Sequence, residues 1–321
     1  MTHAVLARQP GGPEVLEYAE TGRPVPGPGQ LLVKVAAAGV NFIDTYQRSG
    51  VYKVEFPFTP GAEMAGTVEA AGDCVEGFSP GDRVATGEGS KCYAEYALID
   101  AARALRVPDG VDDLTAAALP LQGMTAHYLI NSSFRVEPGQ TVLVHAGAGG
   151  VGLLLIQLLK ARGARVITTV STDDKETLAR EAGADEVLRY DGFAEKVREL
   201  TNGDGVNVVY DGVGKDTFDG SLASLRIRGF LVLFGAASGP VPPVDPQRLN
   251  AGGSLSLTRP TLAHFLGNPQ ERLWRSSEIF GAAADGSLKV RIGATYPLAE
   301  ARHAHEDLEG RRTTGKVLLV P

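Results

Sequence analysis

The chain has 321 residues, more than one compact core usually holds, and this length suits two domains. Its 38 Asp and Glu residues outnumber its 31 Lys and Arg residues, and the net charge of −7 argues against the basic face of a nucleic-acid-binding protein. No apolar run is long enough to span a membrane, and the first residues lack the charged and apolar regions of a signal peptide.

Residues 1–122 have the pattern of short strands separated by turns, in a chain that carries 40 Gly and 19 Pro. The one convincing helix of this part follows Asn41. The pattern predicts a small antiparallel, barrel-like domain, with strands at residues 1–7, 31–38, 69–72, 83–86 and 94–99.

Residues 114–133 switch to helical spacing and are expected to connect two domains. Within 123–262, strands and helices then alternate with short links, which predicts a doubly wound parallel sheet. After residue 262 the alternation stops. The tail, 263–321, contains a predicted helix at 272–284 and a last strand at 316–320, and we expect it to return to the first domain.

The strongest local motif follows the apolar run 141–146, where Gly147, Gly149 and Gly152 have G-x-G-x-x-G spacing before an apolar helix. Gly147 is expected to allow the tight turn after the strand. Gly149 is expected to let a pyrophosphate approach the backbone, and Gly152 to let the helix pack closely on the sheet. Free N–H groups at the start of the helix favour an anion, so the motif predicts a dinucleotide site.

Segments 39–50, 61–66 and 145–152 resemble motifs of the medium-chain dehydrogenase/reductase superfamily, and segments 209–214, 233–235, 257–260 and 310–315 extend the resemblance. Within that superfamily the chain resembles the zinc-independent quinone oxidoreductases of the zeta-crystallin type. The resemblance implies an α/β fold with two parts, a GroES-like β-rich catalytic domain made from both chain ends and a central Rossmann domain with a doubly wound parallel sheet. It also implies a homodimer.

A zinc site is not expected. Zinc-dependent relatives need a Cys in the loop that 41–44 occupy here, and a His where this chain has Ala62. Only Cys74 and Cys92 are present, and the six His residues are scattered, with His303 and His305 predicted to be surface or helix-cap residues. The two isolated cysteines also fit a reducing, cytoplasmic compartment.

Without zinc, oxidation of an alcohol would lack its Lewis acid, which favours hydride transfer to an acceptor that needs little activation, such as a quinone or an activated enone. The resemblance implies reduction of quinones by NADPH. Two alternatives stay open: a reductase of enone or alkenal double bonds, and a non-catalytic NADPH-binding protein of crystallin-like or RNA-binding type. The net charge speaks against RNA binding.

NADPH is favoured over NADH because the strand at 166–170 ends in hydroxyl residues, Ser171 and Thr172, instead of an acidic residue. The resemblance assigns Lys175 and Tyr190 to the 2′-phosphate. Asp173 and Asp174 are interpreted as stabilising the dipole of the following helix.

On the acceptor side we expect Asn41, Tyr46 and Tyr52 to lie near the nicotinamide and the quinone, where amide and phenol groups could hydrogen-bond a developing hydroquinone oxygen. Arg259 resembles an arginine of the family that faces the same cleft, where a cation favours an anionic product. Ordinary packing of the tyrosines and a surface ion pair of Arg259 are the alternatives. No proton donor is predicted, and solvent is expected to protonate the product.

The resemblance suggests further cofactor contacts in both parts of the chain. Together with the glycine motif and the 2′-phosphate residues, the predicted cofactor-binding set is Phe42, Ile43, Asp44, Thr45, Tyr46, Tyr128, Gly147, Gly149, Gly150, Val151, Gly152, Ser171, Lys175, Tyr190, Val213, Phe234, Gly235, Ala236, Ala237, Ser238, Pro260, Thr261, Leu262 and Arg311. Ala62 and the pair Ala236 and Ala237 replace more polar residues of relatives, so we expect a more apolar site.

Overall fold

The computed structural model describes residues 1–321, which form two compact units. Unit 1 comprises 1–124 and 268–321, and unit 2 comprises 125–267. The sequence places the domain boundaries after 122 and 262, and as limits of functional domains these stay a prediction. None of the helices combines the length and the apolar character that crossing a membrane requires.

Fifteen strands and eleven α-helices form the two units. The strands are β1 Thr2–Ala7, β2 Leu16–Thr21, β3 Gln30–Val40, β4 Glu63–Ala71, β5 Arg83–Thr86, β6 Tyr96–Asp100, β7 Leu105–Arg106, β8 Thr141–Val144, β9 Arg165–Thr169, β10 Glu186–Leu188, β11 Val206–Asp211, β12 Leu225–Leu233, β13 Ser256–Thr258, β14 Ile292–Pro297 and β15 Lys316–Val320. The helices are α1 Phe42–Arg48, α2 Asp113–Ala118, α3 Pro120–Tyr128, α4 Gly150–Ala161, α5 Asp173–Glu181, α6 Phe193–Leu200, α7 Phe218–Ala223, α8 Gln247–Ala251, α9 Leu262–Leu266, α10 Pro269–Ala284 and α11 Ala301–Glu309.

Unit 1 is built on a seven-stranded sheet with the order β14-β15-β3-β4-β5-β7, in which β6 also pairs with β3. The two C-terminal strands thus extend the sheet made by the N-terminal residues. Pairing is antiparallel except between β14 and β15, because α11 connects these two strands and returns the chain in the same direction. The register places Gly39 opposite Glu63 and Val40 opposite Val317, which brings the end of β3 to the first residues of β4 and β15.

Unit 2 confirms the predicted doubly wound arrangement. Its six strands are all parallel, in the order β10-β9-β8-β11-β12-β13, and helices connect them. The central strands are almost fully buried, as expected for a parallel sheet covered on both faces. The carboxyl ends of β9, β8 and β11 lie side by side, which is the edge where open α/β sheets bind ligands.

The predicted helical stretch at 114–133 is not one helix. It is divided into α2, α3 and a π-helical turn, Leu129–Ser133. Pro120 begins α3, and a proline lacks the N–H that would continue the hydrogen bonds of α2. The structure also adds the strands β2 and β13 and the helices α8 and α9, which the sequence analysis did not identify.

Candidate active site

The turn between β8 and α4 has the geometry of a dinucleotide-binding turn, but its glycines act differently from the prediction. The left-handed residue is Ala146, with φ of 55°, and Gly147 has no positive φ. A Cβ on Gly147 would lie 2.1 Å from Thr168 Oγ1, so this glycine is required by the packing of β9. A Cβ on Gly152 would lie 2.3 Å from the Ala146 carbonyl oxygen, so α4 begins in close contact with the turn.

The turn fits a pyrophosphate. Gly149 directly precedes α4 and has extended backbone. A Cβ built on Gly149 would have only the Ala146 carbonyl oxygen nearby, at 3.1 Å, so the side of Gly149 that faces away from the turn is open. Helix α4 has twelve residues and starts with Gly150 and Val151, whose N–H groups have no acceptor within the helix. An anion placed here would accept these N–H groups at the positive end of the helix dipole.

A second loop of unit 2 is folded around Asp211, the last residue of β11. Its Oδ1 accepts hydrogen bonds from the N–H groups of Val213 at 2.8 Å and Gly214 at 2.9 Å. Ser238 closes the loop because both its N–H and its hydroxyl donate to the Val213 oxygen. The structure therefore brings together the predicted cofactor residues Val213 and 235–238, next to Phe234 at the end of β12.

The residues predicted for the 2′-phosphate surround the start of α5. Ser171 is exposed, Lys175 is half-buried, and the Thr172 hydroxyl accepts the Lys175 N–H as the helix cap. The exposed carboxylate of Asp173 forms an ion pair with Arg189. Tyr190 is half-buried and stacks on His145, with ring centroids 6.2 Å apart.

The predicted acceptor-side tyrosines are brought together in unit 1. The rings of Tyr46 and Tyr52 meet edge to face with centroids 5.5 Å apart, and Phe42 lies 6.3 Å from Tyr46. The backbone N–H of Tyr52 donates to the backbone carbonyl oxygen of Tyr46, and this hydrogen bond fixes the loop after α1. Tyr52 remains 44% exposed, so ordinary packing, the alternative considered for this tyrosine, does not describe it. The group presents an aromatic surface for a planar molecule.

Asn41 lies in a buried polar cluster, which we call the lysine clamp, made of Asn41, Glu63 and Lys316. Asn41 Oδ1 accepts from Lys316 Nζ at 2.7 Å, and its Nδ2 donates to Glu63 Oε2 at 2.9 Å and to the Gly39 oxygen at 3.3 Å. Lys316 Nζ also forms a short ion pair with Glu63. A Cβ on Gly39 would lie 2.2 Å from Glu63 Oε2, which explains the glycine.

The lysine clamp corrects the expected role of Asn41. Both hydrogens of its amide are already donated, so the side chain has no donor left for a hydroquinone oxygen. The side chains in the clamp are at most 4% exposed, and Glu63 Oε1 accepts the Leu121 N–H at 2.7 Å, so the ion pair is buried and both carboxylate oxygens of Glu63 are hydrogen-bonded.

A second buried cluster lies beside the clamp and corrects the prediction for His305, which is fully buried instead of at the surface. Arg48 Nη1 donates to His305 Nδ1 at 2.9 Å, His305 Nε2 lies 3.1 Å from the Tyr93 hydroxyl, and Tyr93 donates to Asp44 Oδ2 at 3.0 Å. Arginine can only donate, so His305 carries its proton on Nε2. Burial, followed by the charge of Arg48, lowers the pKa of His305 to about 3.

Asp44 ends this second cluster and holds the start of α1. Its Oδ2 accepts the Asn41 N–H at 2.9 Å, while Oδ1 is buried without a hydrogen-bond partner. Burial raises the pKa of Asp44 to about 6, against the opposing effects of the Asn41 N–H, the Tyr93 hydroxyl and Lys316. Asp44 is therefore a structural support of α1.

The other predicted site residues are distributed as follows. In unit 2, Tyr128 is buried, and its ring stacks on that of Phe265 in α9, with the ring centroids 4.3 Å apart. Leu262 is the first residue of α9, and Pro260 and Thr261 come directly before it. Arg259 is exposed and donates to the Pro260 oxygen at 3.4 Å, without the surface ion pair considered as its alternative. In unit 1, Ile43 and Thr45 belong to α1, and Arg311 is exposed with φ of 56°.

The donor sets in the two units do not suit a metal ion, because no three His, Cys, Asp or Glu side chains are grouped so that they could hold one. The loop in which zinc-dependent relatives need a Cys begins here with Asn41 of the lysine clamp, and Ala62, where they have a His, directly precedes Glu63 of the clamp. An ammonium group held by a carboxylate and an amide leaves no lone pairs directed at a cation.

Several residues of the candidate site were missed by the sequence analysis: Glu63, Lys316, Tyr93, Arg48 and His145. They are far apart in sequence, and their contacts depend on strand register and on the return of the C-terminal strands. The one available signal was Lys316, a charged residue at the start of the apolar strand Val-Leu-Leu-Val. A charge in such a position indicates a buried partner.

Two protein families match the chain. Residues 27–109 match the alcohol dehydrogenase GroES-like domain, and residues 150–273 match the zinc-binding dehydrogenase family. The first match lies in unit 1, and the second lies mainly in unit 2. The fold class expected from the sequence is therefore confirmed, while the metal ligands implied by the name of the second family have no counterpart here.

Relatives and solved structures match the full length of the chain. A quinone oxidoreductase of Pseudomonas aeruginosa is 44% identical over 97% of both chains. A 2-haloacrylate reductase of a Burkholderia species is 40% identical over 100% of this chain and 99% of its own. The structure of a mycobacterial protein complexed with NADPH is 53% identical, with a TM-score of 0.98 over 100% of both chains.

Proposed function

The chain belongs to the zinc-independent quinone oxidoreductases of the medium-chain dehydrogenase/reductase superfamily, and we propose roles in that reaction for its individual residues. Its function is the reduction of quinones at the expense of NADPH. The observation that carries this assignment is the full-length match to a quinone oxidoreductase, combined with an open glycine turn and an aromatic surface in the same chain.

Bound NADPH supplies a hydride, and the quinone takes up this hydride and one proton to give the hydroquinone and NADP⁺. No metal ligand is needed, because the quinone carbonyl is already a strong electron acceptor. The chain contributes binding, orientation and exclusion of water, and the proton comes from solvent.

The nucleotide is held by unit 2 in this proposal. The N–H groups at the start of α4 bind the pyrophosphate, with Gly147, Gly149 and Gly152 leaving room for it. Ser171, Lys175 and Tyr190 bind the 2′-phosphate. Within unit 2, the nucleotide site is completed by Tyr128, the loop of Val213, residues 234–238 and the segment 260–262.

The acceptor is held by the aromatic surface of unit 1, where the hydroxyl of Tyr46 donates to the quinone oxygen that becomes negative during transfer. Tyr52 covers the ring edge. Asn41, which the lysine clamp holds just before α1, positions this helix instead of donating to the product. Arg259, which is exposed in unit 2, would favour a nearby anionic product by its charge.

Reduction of an activated carbon–carbon double bond is the second candidate, because a 2-haloacrylate reductase is 40% identical over the full length. That reaction adds a proton to carbon, so it needs a positioned acid. The aromatic surface carries two phenols, Tyr46 and Tyr52, and we assign that role to Tyr46.

Steady-state oxidation of NADPH tests these assignments, with 1,4-benzoquinone, 9,10-phenanthrenequinone and an alkenal as acceptors and with EDTA and NADH as controls. We expect quinone-dependent oxidation that EDTA leaves unchanged and that NADH supports poorly. Turnover of the alkenal alone would move the assignment to double-bond reduction. Binding of NADPH without turnover of any acceptor would indicate a non-catalytic binding protein.

Tyr46→Phe tests the acceptor side. We expect kcat with 1,4-benzoquinone to fall about tenfold, the cost of one lost hydrogen bond, without a change in the Kd for NADPH. Tyr18→Phe is the control, because it removes the same hydroxyl from a tyrosine that lies outside the site, stacked on His3. An unchanged kcat in Tyr46→Phe would contradict the assignment.

We also propose that the protein is a cytoplasmic homodimer. Both cysteines are free thiols, which suits a reducing compartment, and the dimer is the usual state in the family that the sequence resembles. Light scattering after size exclusion tests the dimer, and a monomeric mass at micromolar concentration would contradict it.

A further inference from the structure

A continuous chain of buried hydrogen bonds crosses the ligand-binding edge of the sheet in unit 2. It joins Thr169, His145, Ser221 and Asp211, and we call it the histidine chain. His145 Nδ1 lies 2.8 Å from Thr169 Oγ1, His145 Nε2 lies 2.9 Å from Ser221 Oγ, and Ser221 Oγ donates to Asp211 Oδ2 at 2.7 Å. All four side chains are at most 1% exposed.

The direction of every hydrogen bond in the histidine chain follows from its end at Asp211. Ser221 donates its one hydrogen to the carboxylate, so toward His145 it can only accept, and His145 must carry its proton on Nε2. His145 Nδ1 then accepts from the Thr169 hydroxyl. Burial lowers the pKa of His145 in spite of the nearby Asp211, which agrees with a neutral ring.

The histidine chain connects segments that are separate in sequence and that the proposed function assigns to the nucleotide. Thr169 ends β9, two residues before Ser171, and Asp211 holds the N–H groups of the loop at Val213. His145 lies between β8 and the glycine turn. Its ring is also stacked on Tyr190, with planes 19° apart, and contacts the ring of Phe193 edge to face at 4.8 Å.

Resting on the proposed function, we propose that His145 is a specificity-determining positioning residue, which holds Tyr190 and the end of β9 where they receive the 2′-phosphate of NADPH. His145 does not touch the phosphate. One face of its ring limits where Tyr190 can lie, and its two nitrogens tie β9 to the Asp211 loop. The 2′-phosphate is the group that separates NADPH from NADH, so loss of this support is expected to affect NADPH selectively.

The test is direct binding of NADPH and of NADH to the full chain without an acceptor, by titration calorimetry or nucleotide fluorescence. His145→Phe keeps an aromatic ring in the site and removes both hydrogen bonds. We expect its Kd for NADPH to rise about tenfold, the loss of one to two hydrogen bonds, while its Kd for NADH changes by less than about twofold.

Ser221→Ala and Ser224→Ala form a matched pair of buried serines near the end of α7. Ser221→Ala breaks the histidine chain, whereas Ser224 donates to the Gly220 oxygen and lies outside it. We expect Ser221→Ala to lose part of the preference for NADPH and Ser224→Ala to keep it. This pair keeps the proposal testable if His145→Phe does not fold.

Equal increases of both Kd values in His145→Phe and Ser221→Ala would overturn the proposal, because they would indicate general support of the sheet. Unchanged Kd values would overturn it as well. If the wild-type chain binds NADH as tightly as NADPH, the cofactor assignment itself fails, and this is seen before any variant is made.

Discussion

The two units bury polar groups of different kinds. Unit 1 buries charges: Lys316 and Glu63 in the lysine clamp, and Arg48 and Asp44 in the cluster beside it. Unit 2 buries the histidine chain, in which the sole acidic member, Asp211, accepts hydrogen bonds from backbone N–H groups and hydroxyls. Unit 1 therefore rests on buried ion pairs, and unit 2 rests on hydrogen bonds from uncharged donors to one buried carboxylate.

This difference predicts different responses to mutation and to pH. A buried charge left without its partner costs several kcal/mol, whereas a buried hydroxyl left without its partner costs about 1–3 kcal/mol. Unit 1 should thus be the unit whose stability depends most strongly on single charged residues and on pH. The following four experiments are ordered by the size of the expected effect.

The largest effect is expected for Lys316→Met, which leaves the carboxylate of Glu63 buried without its cation. We expect the free energy of unfolding to fall by roughly 3–5 kcal/mol in urea titrations. The double variant Glu63→Met with Lys316→Met removes both charges and should recover most of this loss.

Lys196→Met is the control for that experiment, because the ion pair of Lys196 with Glu199 is exposed. Its cost should stay below about 1 kcal/mol. A Lys316→Met variant no less stable than this control would contradict the buried clamp.

Asp44 should make stability fall as the pH rises. Its pKa is raised from 3.8 to about 6 in the folded chain, so its contribution is fully present below pH 3.8 and is lost as the pH rises through about 6. At about 1.4 kcal/mol for each pKa unit, the loss is about 3 kcal/mol. Asp44→Asn cannot ionise and should lack this loss.

The measurement for Asp44 is the difference in unfolding free energy between wild type and Asp44→Asn at pH 4 and at pH 7. Wild type should lose about 2.4 kcal/mol relative to the variant over this range, because part of the total loss lies below pH 4. Asp174→Asn, in the exposed first turn of α5, serves as the control. A difference that stays constant with pH would show that Asp44 is not buried as described.

A smaller effect is expected for Lys175→Met on the nucleotide side. The loss of one cation from the 2′-phosphate site should raise the Kd for NADPH about tenfold and leave the Kd for NADH nearly unchanged. Lys196→Met is again a suitable control. Equal affinity of the variant and wild type for NADPH would contradict the assignment of Lys175 to the 2′-phosphate.

The smallest effect is expected for Ala146→Gly, because Ala146 has left-handed backbone with φ of 55°. Glycine has no Cβ and is not strained in this conformation, so the free energy of unfolding should increase by about 1 kcal/mol. The measurement is the melting temperature, which should rise. Gly147→Ala is the contrasting variant and should be destabilised, because its Cβ would collide with Thr168. The reverse result would contradict the geometry of the turn.

The fold was largely predictable because its signals are local. The alternation of strands and helices after Thr141 predicted the parallel sheet, and the strands Arg83–Thr86 and Lys316–Val320 have the predicted limits. The break at Pro120 was missed because the apolar spacing continues across it. Strand β2 was missed because its outward residues are charged and its pairing with β1 is not visible in its own sequence.

The site was predictable in its motifs but not in its supports. The glycine turn and the residues around Asn41 carry signals within a few residues of each other. The partners of Asn41, however, are Glu63 and Lys316, which reach it only through the register of β4 and β15 on β3. His305 was expected at the surface because spacing on one helix cannot show that Arg48 and Tyr93 enclose it.

Direct hydride transfer from NADPH to a quinone is the central claim, and single-turnover stopped flow with NADPH deuterated at nicotinamide C4 tests it most directly. We expect 1,4-benzoquinone to be reduced in one two-electron step. Deuterium on one face of nicotinamide C4 should slow this step, and deuterium on the other face should not. A rate that is insensitive to deuterium on both faces, together with release of semiquinone, would contradict the account.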